Sequence, residues 1–266
     1  MSNSIAITSG KGGVGKTTVS VNLSIAYKKL MNHVLLLDTD LGMANSHVLL
    51  GVNPQYSLSH VLSGEKTVDD VVEKTLSGID LVSGGTATSD LLNLGNEKRF
   101  LVLNEIDNYL KRYDNVKLIV DVAAGAEDNA VIFANACGRI VVVIVGEPTS
   151  FVDSYSLIKT INQKSSFKNF CILVNQTDSS KSAKNLFEKF QKITSRFLDL
   201  KLHYVGFLEE SKKIKKSIIN RKPLLLSDPD SDLARRFISI AGEILKTPKN
   251  EWGGLSFSTG NNKKRA

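Results

Sequence analysis

The stretch Gly10-Lys11-Gly12-Gly13-Val14-Gly15-Lys16-Thr17-Thr18 decides the fold of this chain of 266 residues. A short apolar run typical of a β-strand, Ser4 to Thr8, precedes it, and a helical pattern of apolar residues begins at Lys16. The spacing G-x4-G-K-[ST] is that of a phosphate-binding loop, in which glycines let successive backbone N–H groups point at phosphate oxygens. The sequence therefore predicts a nucleoside triphosphate site, with Lys16 on the β- and γ-phosphates and Thr17 on Mg²⁺.

Apolar strand-like runs alternate with helical patterns along nearly the whole chain. The predicted strands are Ser4 to Thr8, His33 to Leu37, Gly78 to Val82, Lys117 to Asp121, Arg139 to Val145, Asn169 to Val174 and Leu202 to Phe207. The predicted helices are Lys16 to Met31, Asn96 to Arg112, Ser150 to Gln163, Ser180 to Phe197, Glu209 to Ile219 and Ser231 to Lys246. We therefore expect a single doubly wound α/β domain over residues 1–246, with a mostly parallel sheet flanked by helices, and a basic, disordered tail over residues 247–266.

The composition, with 42% hydrophobic and 23% charged residues, is that of a soluble globular protein. No secretory signal is expected, because the N-terminus lacks a basic stretch followed by a long apolar core. The longest aliphatic run, Ile140 to Val145, is far shorter than the roughly 20 residues that cross a bilayer. Cys137 and Cys171 form neither a disulfide framework nor a metal motif, which favours a cytoplasmic protein.

The net charge of +7 is concentrated in two segments. Residues 209–222 contain six Lys or Arg against two acids, and residues 246–266 contain five against one, so each segment carries +4. Two interpretations stay open for this charge. It could attract phosphates or anionic lipid, or it could belong to solvated helix faces.

Two other segments place carboxylates at predicted strand ends. Leu35-Leu36-Leu37 leads into Asp38-Thr39-Asp40, and Leu118-Ile119-Val120 leads into Asp121. Ligands of doubly wound sheets bind at the carboxyl ends of the strands, so we favour a functional role over loop capping for the Asp-x-Asp pair. Asp121 fits a Walker B pattern, in which a carboxylate contacts Mg²⁺ directly or through one of the waters that this ion keeps.

With the additional Lys11, the loop GKGGVGKTT resembles the deviant Walker A motif of the MinD/ParA class of ATPases, and the resemblance covers residues 3–245. It implies that Lys11 reaches across a dimer interface to the partner's nucleotide, so that ATP binding and dimerisation are one event. It also implies that Asp40 orients or deprotonates the attacking water, that Asp38 supports the outer shell of the metal, and that Asn175 contacts adenine.

The resemblance thus implies a complete site. Its catalytic residues are Lys11, Lys16 and Asp40. Its nucleotide-binding residues are Gly10, Lys11, Gly12, Gly13, Val14, Gly15, Lys16, Thr17, Thr18 and Asn175. Its metal-binding residues are Thr17, Asp38, Asp40 and Asp121. ATP and Mg²⁺ are the implied cofactors, and slow hydrolysis suits a switch whose states must last.

Further markers resemble the flagellar-number regulators of this class, the FlhG family, also called FleN or YlxH. The markers are Asp40 to Asn45, Leu49 to Gly51, Ser57 to Gly64, Glu147 to Lys159, Arg196 to Leu198 and Tyr204 to Gly206. Such regulators are ATPases that dimerise at the membrane and set the number and placement of flagella. The resemblance implies an ATP-dependent homodimer that acts with an FlhF-type GTPase, with flagellar switch components or with a flagellar transcription activator.

Both ends of the chain depart from that family. The first strand begins at Ser4, so we do not expect the N-terminal motif with which many relatives stimulate the partner GTPase. Trp252, Leu255 and Phe257 are interrupted by glycines, each of which disfavours a helix by about 1 kcal/mol. We therefore expect at most a weak contact with an anionic membrane, and a cytoplasmic protein that is at most peripheral at the inner face of the cell membrane.

The alternatives share the same ATPase core. A ParA-type ATPase that partitions chromosomes or plasmids would bind DNA in an ATP-dependent and steeply salt-dependent way. The cluster Lys212, Lys213, Lys215 and Lys216 is compatible with that function. A MinD-type ATPase that positions the division site is the other alternative. The flagellar markers favour the regulator family, so nucleic-acid binding is not expected. Iron–sulfur carriers of this class need paired cysteine thiolates, which this chain does not provide.

Overall fold

The computed structural model describes residues 3–31, 33–40, 44–85 and 95–250. The strands are β1 (Ser4–Thr8), β2 (His33–Asp38), β3 (Glu73–Lys74), β4 (Asp80–Val82), β5 (Val116–Asp121), β6 (Arg139–Ile144), β7 (Asn169–Thr177) and β8 (Lys201–Glu209). The helices are α1 (Lys16–Lys28), α2 (Ser46–Leu50), α3 (Leu58–Leu62), α4 (Val68–Val71), α5 (Asn96–Leu110), α6 (Asp128–Asn135), α7 (Pro148–Ser165), α8 (Ser180–Thr194), α9 (Lys212–Ile219), α10 (Leu224–Ser227) and α11 (Asp232–Lys246).

The described strands form one eight-stranded sheet in the order β3-β4-β2-β5-β1-β6-β7-β8. Neighbouring strands are parallel throughout except for β3 and β4, which are antiparallel. The chain reverses its direction of travel across the sheet at β1, which lies between β5 and β6. Such a switch point opens a crevice at the carboxyl ends of the strands, and the phosphate-binding loop follows β1 at that place.

The predicted α/β class and all seven predicted strands are confirmed. The largest differences lie at element ends: α1 ends at Lys28 instead of Met31, and α8 ends at Thr194 instead of Phe197. Because β8 continues to Glu209, α9 begins at Lys212 instead of at Glu209. Sequence analysis missed β3 and the short helices α2, α3, α4, α6 and α10, because segments of two to eight residues show too little periodicity to be recognised.

Two apolar layers cover the sheet. One contains α3 to α8, and the other contains α1, α2, α10 and α11. The apolar face of the last helix packs on the sheet, since Phe237, Ile240 and Ile244 of α11 are buried. Cys137 and Cys171 are free and buried in the core.

The chain stays attached to the sheet beyond α11. The Arg139 Nε atom donates a hydrogen bond to the Thr247 carbonyl (3.0 Å), and the Asn250 N–H donates to the Gly138 carbonyl (2.9 Å). The rest of the predicted disordered tail, residues 251–266, lies outside the described residues, so its disorder stays a prediction. Among the helices that are described, none is both long and apolar enough to cross a bilayer.

Candidate nucleotide-binding site

The loop after β1 adopts a backbone that requires glycine. Gly15 has a φ of 85°, in the left-handed region, and a Cβ there would lie 2.5 Å from the Asn175 Nδ2 atom. A Cβ on Gly10 would lie 2.2 Å from the backbone nitrogen of Ser154 in α7. Gly15 precedes α1 and caps it without a side-chain hydrogen bond, so the first N–H groups of this helix have no side-chain acceptor at the cap. These groups and the positive end of the helix dipole can bind phosphate oxygens.

The side chain of Asn175 stabilises this loop by a hydrogen bond to its backbone. Its Nδ2 atom donates to the Val14 carbonyl (2.7 Å), and its neighbour Gln176 donates from Nε2 to the Gly13 carbonyl (3.4 Å). Asn175 is 7% exposed and is not among the residues that line the cleft described below. The structure therefore gives Asn175 a contact with the loop, and its predicted contact with adenine stays a prediction.

A cleft of about 740 Å³ opens beside the loop, a volume within the usual range for small-molecule sites. Its lining includes the predicted residues Lys11, Gly12, Gly13, Gly15, Lys16, Thr17, Thr18 and Asp40. Thr39, Asn45 and Glu127 add polar groups from other loops, and Asn129 adds one from the start of α6. Val48, Leu49 and Ile218 form an apolar side. Five further predicted residues are not part of the lining, namely Gly10, Val14, Asp38, Asp121 and Asn175.

Lys16 is held in a buried ion pair. Its Nζ atom lies 3.1 Å from the Asp121 Oδ1 atom, and the two side chains are 9% and 1% exposed. The Ser20 hydroxyl donates to the same carboxylate oxygen (2.9 Å). Burial lowers the pKa of Lys16, but the charge of Asp121, aided by Asp38 and Asp40, outweighs it and raises the pKa above its ordinary value. Lys16 is therefore charged at neutral pH, and it is also one of the residues that line the cleft.

Asp38 lies next to Asp121, because β2 and β5 pair these two residues in register. Burial and, after it, the charge of Asp121 raise the pKa of the Asp38 carboxyl to about 7. The backbone N–H groups of Asp40 and Ser46 donate to its two oxygens, each at 3.1 Å, and oppose that shift. The Ser46 hydroxyl also donates to Asp121 (3.4 Å) and so joins the two carboxyl groups.

This pair of buried carboxyl groups fits a bound Mg²⁺ ion. Lys16 balances the charge of Asp121, but two adjacent buried carboxyl groups carry more negative charge than one ammonium group compensates when both are ionised, and a hard divalent cation can supply the difference. Thr17 and Asp40, which line the cleft, would add the hydroxyl and carboxylate oxygens that Mg²⁺ prefers. The donor set is therefore compatible with the predicted metal residues.

Lys11 lies at the surface beside the cleft, away from the buried pair. Its Nζ atom forms an ion pair with Glu147 Oε2 and donates to the Thr149 hydroxyl oxygen (3.3 Å), both at the start of α7. The side chains of Lys11 and Glu147 are 30% and 60% exposed. Since an exposed ion pair is worth about 0.2–1 kcal/mol, Lys11 can exchange this partner for another anion.

Sequence analysis missed three functional contacts of the site. It gave no role to Ser20 or Ser46, which bind the carboxylates, and it used Glu147 only as a family marker although this residue pairs with Lys11. Ser20 lies one helical turn after Lys16, so its contact with the same partner was accessible from helix spacing. No local signal identifies Ser46 or Glu147, because their partners lie in other elements.

The chain is similar to known nucleotide-binding proteins over most of its length. A sequence profile of the CobQ/CobB/MinD/ParA nucleotide binding domain matches residues 5–224. The chain is 36% identical to the antiactivator FleN of Pseudomonas aeruginosa, over 95% of this chain and 90% of that protein. It is 31% identical to the flagellum site-determining protein YlxH of Helicobacter pylori, over 94% of this chain and 84% of that protein.

Two solved structures are similar over almost the whole chain. The MinC:MinD cell division protein complex of Aquifex aeolicus matches with a TM-score of 0.76 and 25% identity, over 94% of this chain and 99% of the matched one. The septum site-determining protein MinD of Pyrococcus horikoshii, complexed with Mg-ADP, matches with a TM-score of 0.75 and 25% identity, over 92% and 97%.

Proposed function

Because this chain belongs to the CobQ/CobB/MinD/ParA family of nucleotide-binding domains, we propose that it is an ATP-dependent dimerising switch that regulates the number and placement of flagella. Similarity to the antiactivator FleN over 95% of the chain is the observation that carries this proposal. YlxH, a flagellum site-determining protein, supports the same branch of the family. ATP and Mg²⁺ are the ligands, in keeping with the MinD structure that holds Mg-ADP.

The cleft and the buried carboxyl groups next to it would together supply the groups that ATP hydrolysis needs. The N–H groups at the start of α1 and the Lys16 ammonium bind the phosphates, and in doing so Lys16 exchanges part of its contact with Asp121 for phosphate oxygens. Thr17, Asp38, Asp40 and Asp121 would hold Mg²⁺, which supplies positive charge to the phosphates when bound. The Asp40 carboxylate orients or deprotonates the attacking water, since little covalent chemistry falls to the protein in a loose transition state.

Dimerisation follows from the exposed position of Lys11. Two copies that face each other across their triphosphates would repel, unless cations lie between the phosphate groups. Lys11 leaves Glu147 and Thr149, and contacts the nucleotide of the second copy. ATP therefore joins the two copies, and hydrolysis removes the γ-phosphate that holds them together. Each state presents a different surface to partners, and turnover is slow because the states of a switch must last.

The Asp40→Ala variant tests this cycle. It retains the phosphate-binding loop and Lys11, so we expect it to bind ATP and to form a persistent dimer, with hydrolysis lost. ATP turnover and the sedimentation coefficient are measured on the same preparation, with the wild-type chain as the control. Rapid turnover by this variant would remove Asp40 from the catalytic role.

The same persistent dimer identifies the partners. Used as bait, it should capture an FlhF-type GTPase, flagellar switch components or a flagellar transcription activator, whereas the Lys16→Ala variant should not. Capture of division-site or chromosome-partition proteins instead would assign the chain to the MinD or ParA branch. We place the protein in the cytoplasm, with a weak peripheral contact at the inner face of the cell membrane.

A further inference from the structure

Helix α8 has a strongly basic outer face. Its cations, with one more in the turn that follows, are Lys181, Lys184, Lys189, Lys192 and Arg196, against a single acid, Glu188. These five side chains are exposed, and none of them forms an ion pair with another described residue. The opposite face, which includes Ala183 and Phe190, is buried on the sheet. The helix is therefore docked by its apolar side and leaves its positive charge in solvent.

Two apolar side chains stand among these cations. Ile193 is 44% exposed and Phe197 is 71% exposed, at a spacing that puts them on the same side of the helix end. The turn continues past Thr194, because the Phe197 N–H donates to the Thr194 carbonyl (3.2 Å). The ring of Phe197 meets Tyr155 edge-on at 6.2 Å, which orients it without covering it.

Together with Lys201, the exposed first residue of β8, these groups make one surface. We call it the basic end surface, and it consists of Lys189, Lys192, Ile193, Arg196, Phe197 and Lys201. Since α8 starts beyond the carboxyl end of β7 and runs back along the sheet, the basic end surface lies at the amino ends of the strands, away from the nucleotide cleft.

The described chain ends at the same edge. The Asn250 Oδ1 atom accepts hydrogen bonds from the backbone N–H groups of Lys168 (3.3 Å) and Asn169 (3.2 Å), and Asn169 pairs in register with Lys201. The sequence that follows contains Trp252, Phe257 and a Lys263-Lys264-Arg265 run.

The other basic helix, α9, also exposes an apolar residue, Ile219, which is 79% exposed, but it differs in how its charge is paired. Lys213 pairs with Asp228 (2.7 Å) and Lys215 pairs with Glu210 (2.5 Å), so half of the lysines of α9 are neutralised. Ile218 of α9 lines the nucleotide cleft. The charge of α9 is thus partly used within the protein, whereas that of α8 is available to an external anion.

We propose that the basic end surface is a membrane-contact site that binds the headgroups of anionic lipids through Lys189, Lys192, Arg196 and Lys201 and inserts Phe197 and Ile193 at the headgroup level. Lysine and arginine side chains near an anionic leaflet gain electrostatic attraction, and exposed aromatic and aliphatic residues gain burial in the interfacial region. Duplex DNA offers phosphates to the same cations but nothing apolar to Ile193 and Phe197, so a lipid surface fits better.

This inference rests on the peripheral membrane contact of the proposed function and names the residues that make it. The test is co-sedimentation of the full chain with vesicles of phosphatidylglycerol and phosphatidylcholine in equal amounts, and with vesicles of phosphatidylcholine alone. The double variant Lys192→Gln/Arg196→Gln removes two cations of the basic end surface. Its matched control, Lys212→Gln/Lys216→Gln, removes two cations of α9 that have no ion pair among the described residues.

Wild-type protein should bind the anionic vesicles and not the phosphatidylcholine vesicles. The Lys192→Gln/Arg196→Gln variant should bind roughly 30-fold more weakly, because each cation near an anionic membrane contributes about a fivefold factor. The α9 control should stay within about twofold of wild type. Phe197→Ser, at a site that is 71% exposed, should lose roughly tenfold through lost apolar burial, with an unchanged melting temperature.

Three results would overturn the inference: no binding of wild type to anionic vesicles, equal losses in the α8 and α9 variants, or tighter binding of wild type to a short duplex DNA that Lys192→Gln/Arg196→Gln abolishes. ATP affinity and turnover are measured on every variant. If these are intact while vesicle binding does not follow the basic end surface, the inference fails and the proposed switch stands. If ATP binding is absent in wild type, the proposed function fails by itself.

Discussion

The two edges of the sheet use positive charge in opposite ways. At the carboxyl edge, Lys16 is buried against Asp121 and Lys11 is held by Glu147. At the amino edge, Lys192 and Arg196 extend from the end of α8 without an ion pair to any described residue. Cations that have carboxylate partners nearby are fixed in position, and they maintain the shape of a site for a small, highly charged ligand. Cations without such partners leave their charge to a large external surface.

The pKa shifts of the buried titratable groups at the two edges are opposite in direction as well. At the carboxyl edge, burial and the charge of Asp121 raise the pKa of Asp38 to about 7. At the amino edge, burial and, after it, the charges of Arg139 and Lys249 lower the pKa of Lys117 to about 7. The side chain of Lys117 is fully buried, donates to Asn3 and lies 5.2 Å from the centre of the Tyr27 ring. The two groups should therefore impose opposite pH dependences on folding.

The largest effect is expected for Lys16→Ala. Removing the ammonium group deletes the phosphate contact and leaves Asp121 buried and uncompensated, where it repels the incoming phosphates. Since a hydrogen bond to a charged group is worth about 1.5–3 kcal/mol, ATP affinity measured by calorimetry should fall roughly 100-fold. Lys192→Ala, at the other edge, is the control and should bind ATP like wild type. A Lys16→Ala variant with wild-type affinity would remove the distinction between the edges.

The next effect concerns the pH dependence of stability at Lys117. In the unfolded chain this lysine stays protonated up to its ordinary pKa, whereas in the folded protein it loses its proton near pH 7. The unfolded state therefore binds more protons above pH 7, and folding stability must rise with pH. Relative to Lys117→Met, wild type should gain about 2 kcal/mol in urea unfolding between pH 6.5 and 8.5. A difference that does not change with pH would show that Lys117 is charged at neutral pH.

Asp38 should show the opposite slope. Its folded pKa near 7 lies above the ordinary value, so the folded state binds more protons between about pH 4 and 7, and stability falls as the pH rises through that window. Relative to Asp38→Asn, wild type without nucleotide should lose about 1 kcal/mol between pH 6 and 7. If both edges gave slopes of the same sign, the electrostatic contrast between them would be wrong.

The smallest effect on stability is expected for Glu147→Gln. The Lys11–Glu147 pair is exposed, so its loss should change the free energy of unfolding by less than about 1 kcal/mol. The freed Lys11 no longer has to leave an anion before it contacts a second copy, so the ATP-dependent dimer should associate up to a few-fold more tightly. Sedimentation equilibrium measures this constant. Weaker association of the variant would mean that Glu147 itself contributes to the dimer.

Local patterns made the fold and the centre of the site predictable. The spacing of Gly10, Gly15 and Lys16 predicts the loop, and the aliphatic strands that end at Asp38 and Asp121 predict the sheet edge where both carboxyl groups meet. These features depend on residues close in sequence, or on the rule that parallel strands align their carboxyl ends.

The remaining features depend on which distant elements meet. Ser46 bridges Asp38 and Asp121 only because α2 begins beside β2, and Glu147 reaches Lys11 only because α7 starts next to the loop. Charge counted along the sequence pointed to α9, but the fold neutralises half of its lysines and leaves those of α8 exposed. A count of charges along the sequence does not show which acidic residues of other elements lie next to each lysine, and these neighbours decide whether its charge is compensated.

Sedimentation velocity of Lys11→Ala with ATP and Mg²⁺ isolates the role of Lys11, because this variant keeps the other residues that line the nucleotide cleft and lacks only the cation proposed to reach the second copy. Wild type should shift from monomer to dimer when ATP is added, while Lys11→Ala should bind ATP and stay monomeric. An ATP-dependent dimer of Lys11→Ala that sediments like the wild-type dimer would contradict this role of Lys11.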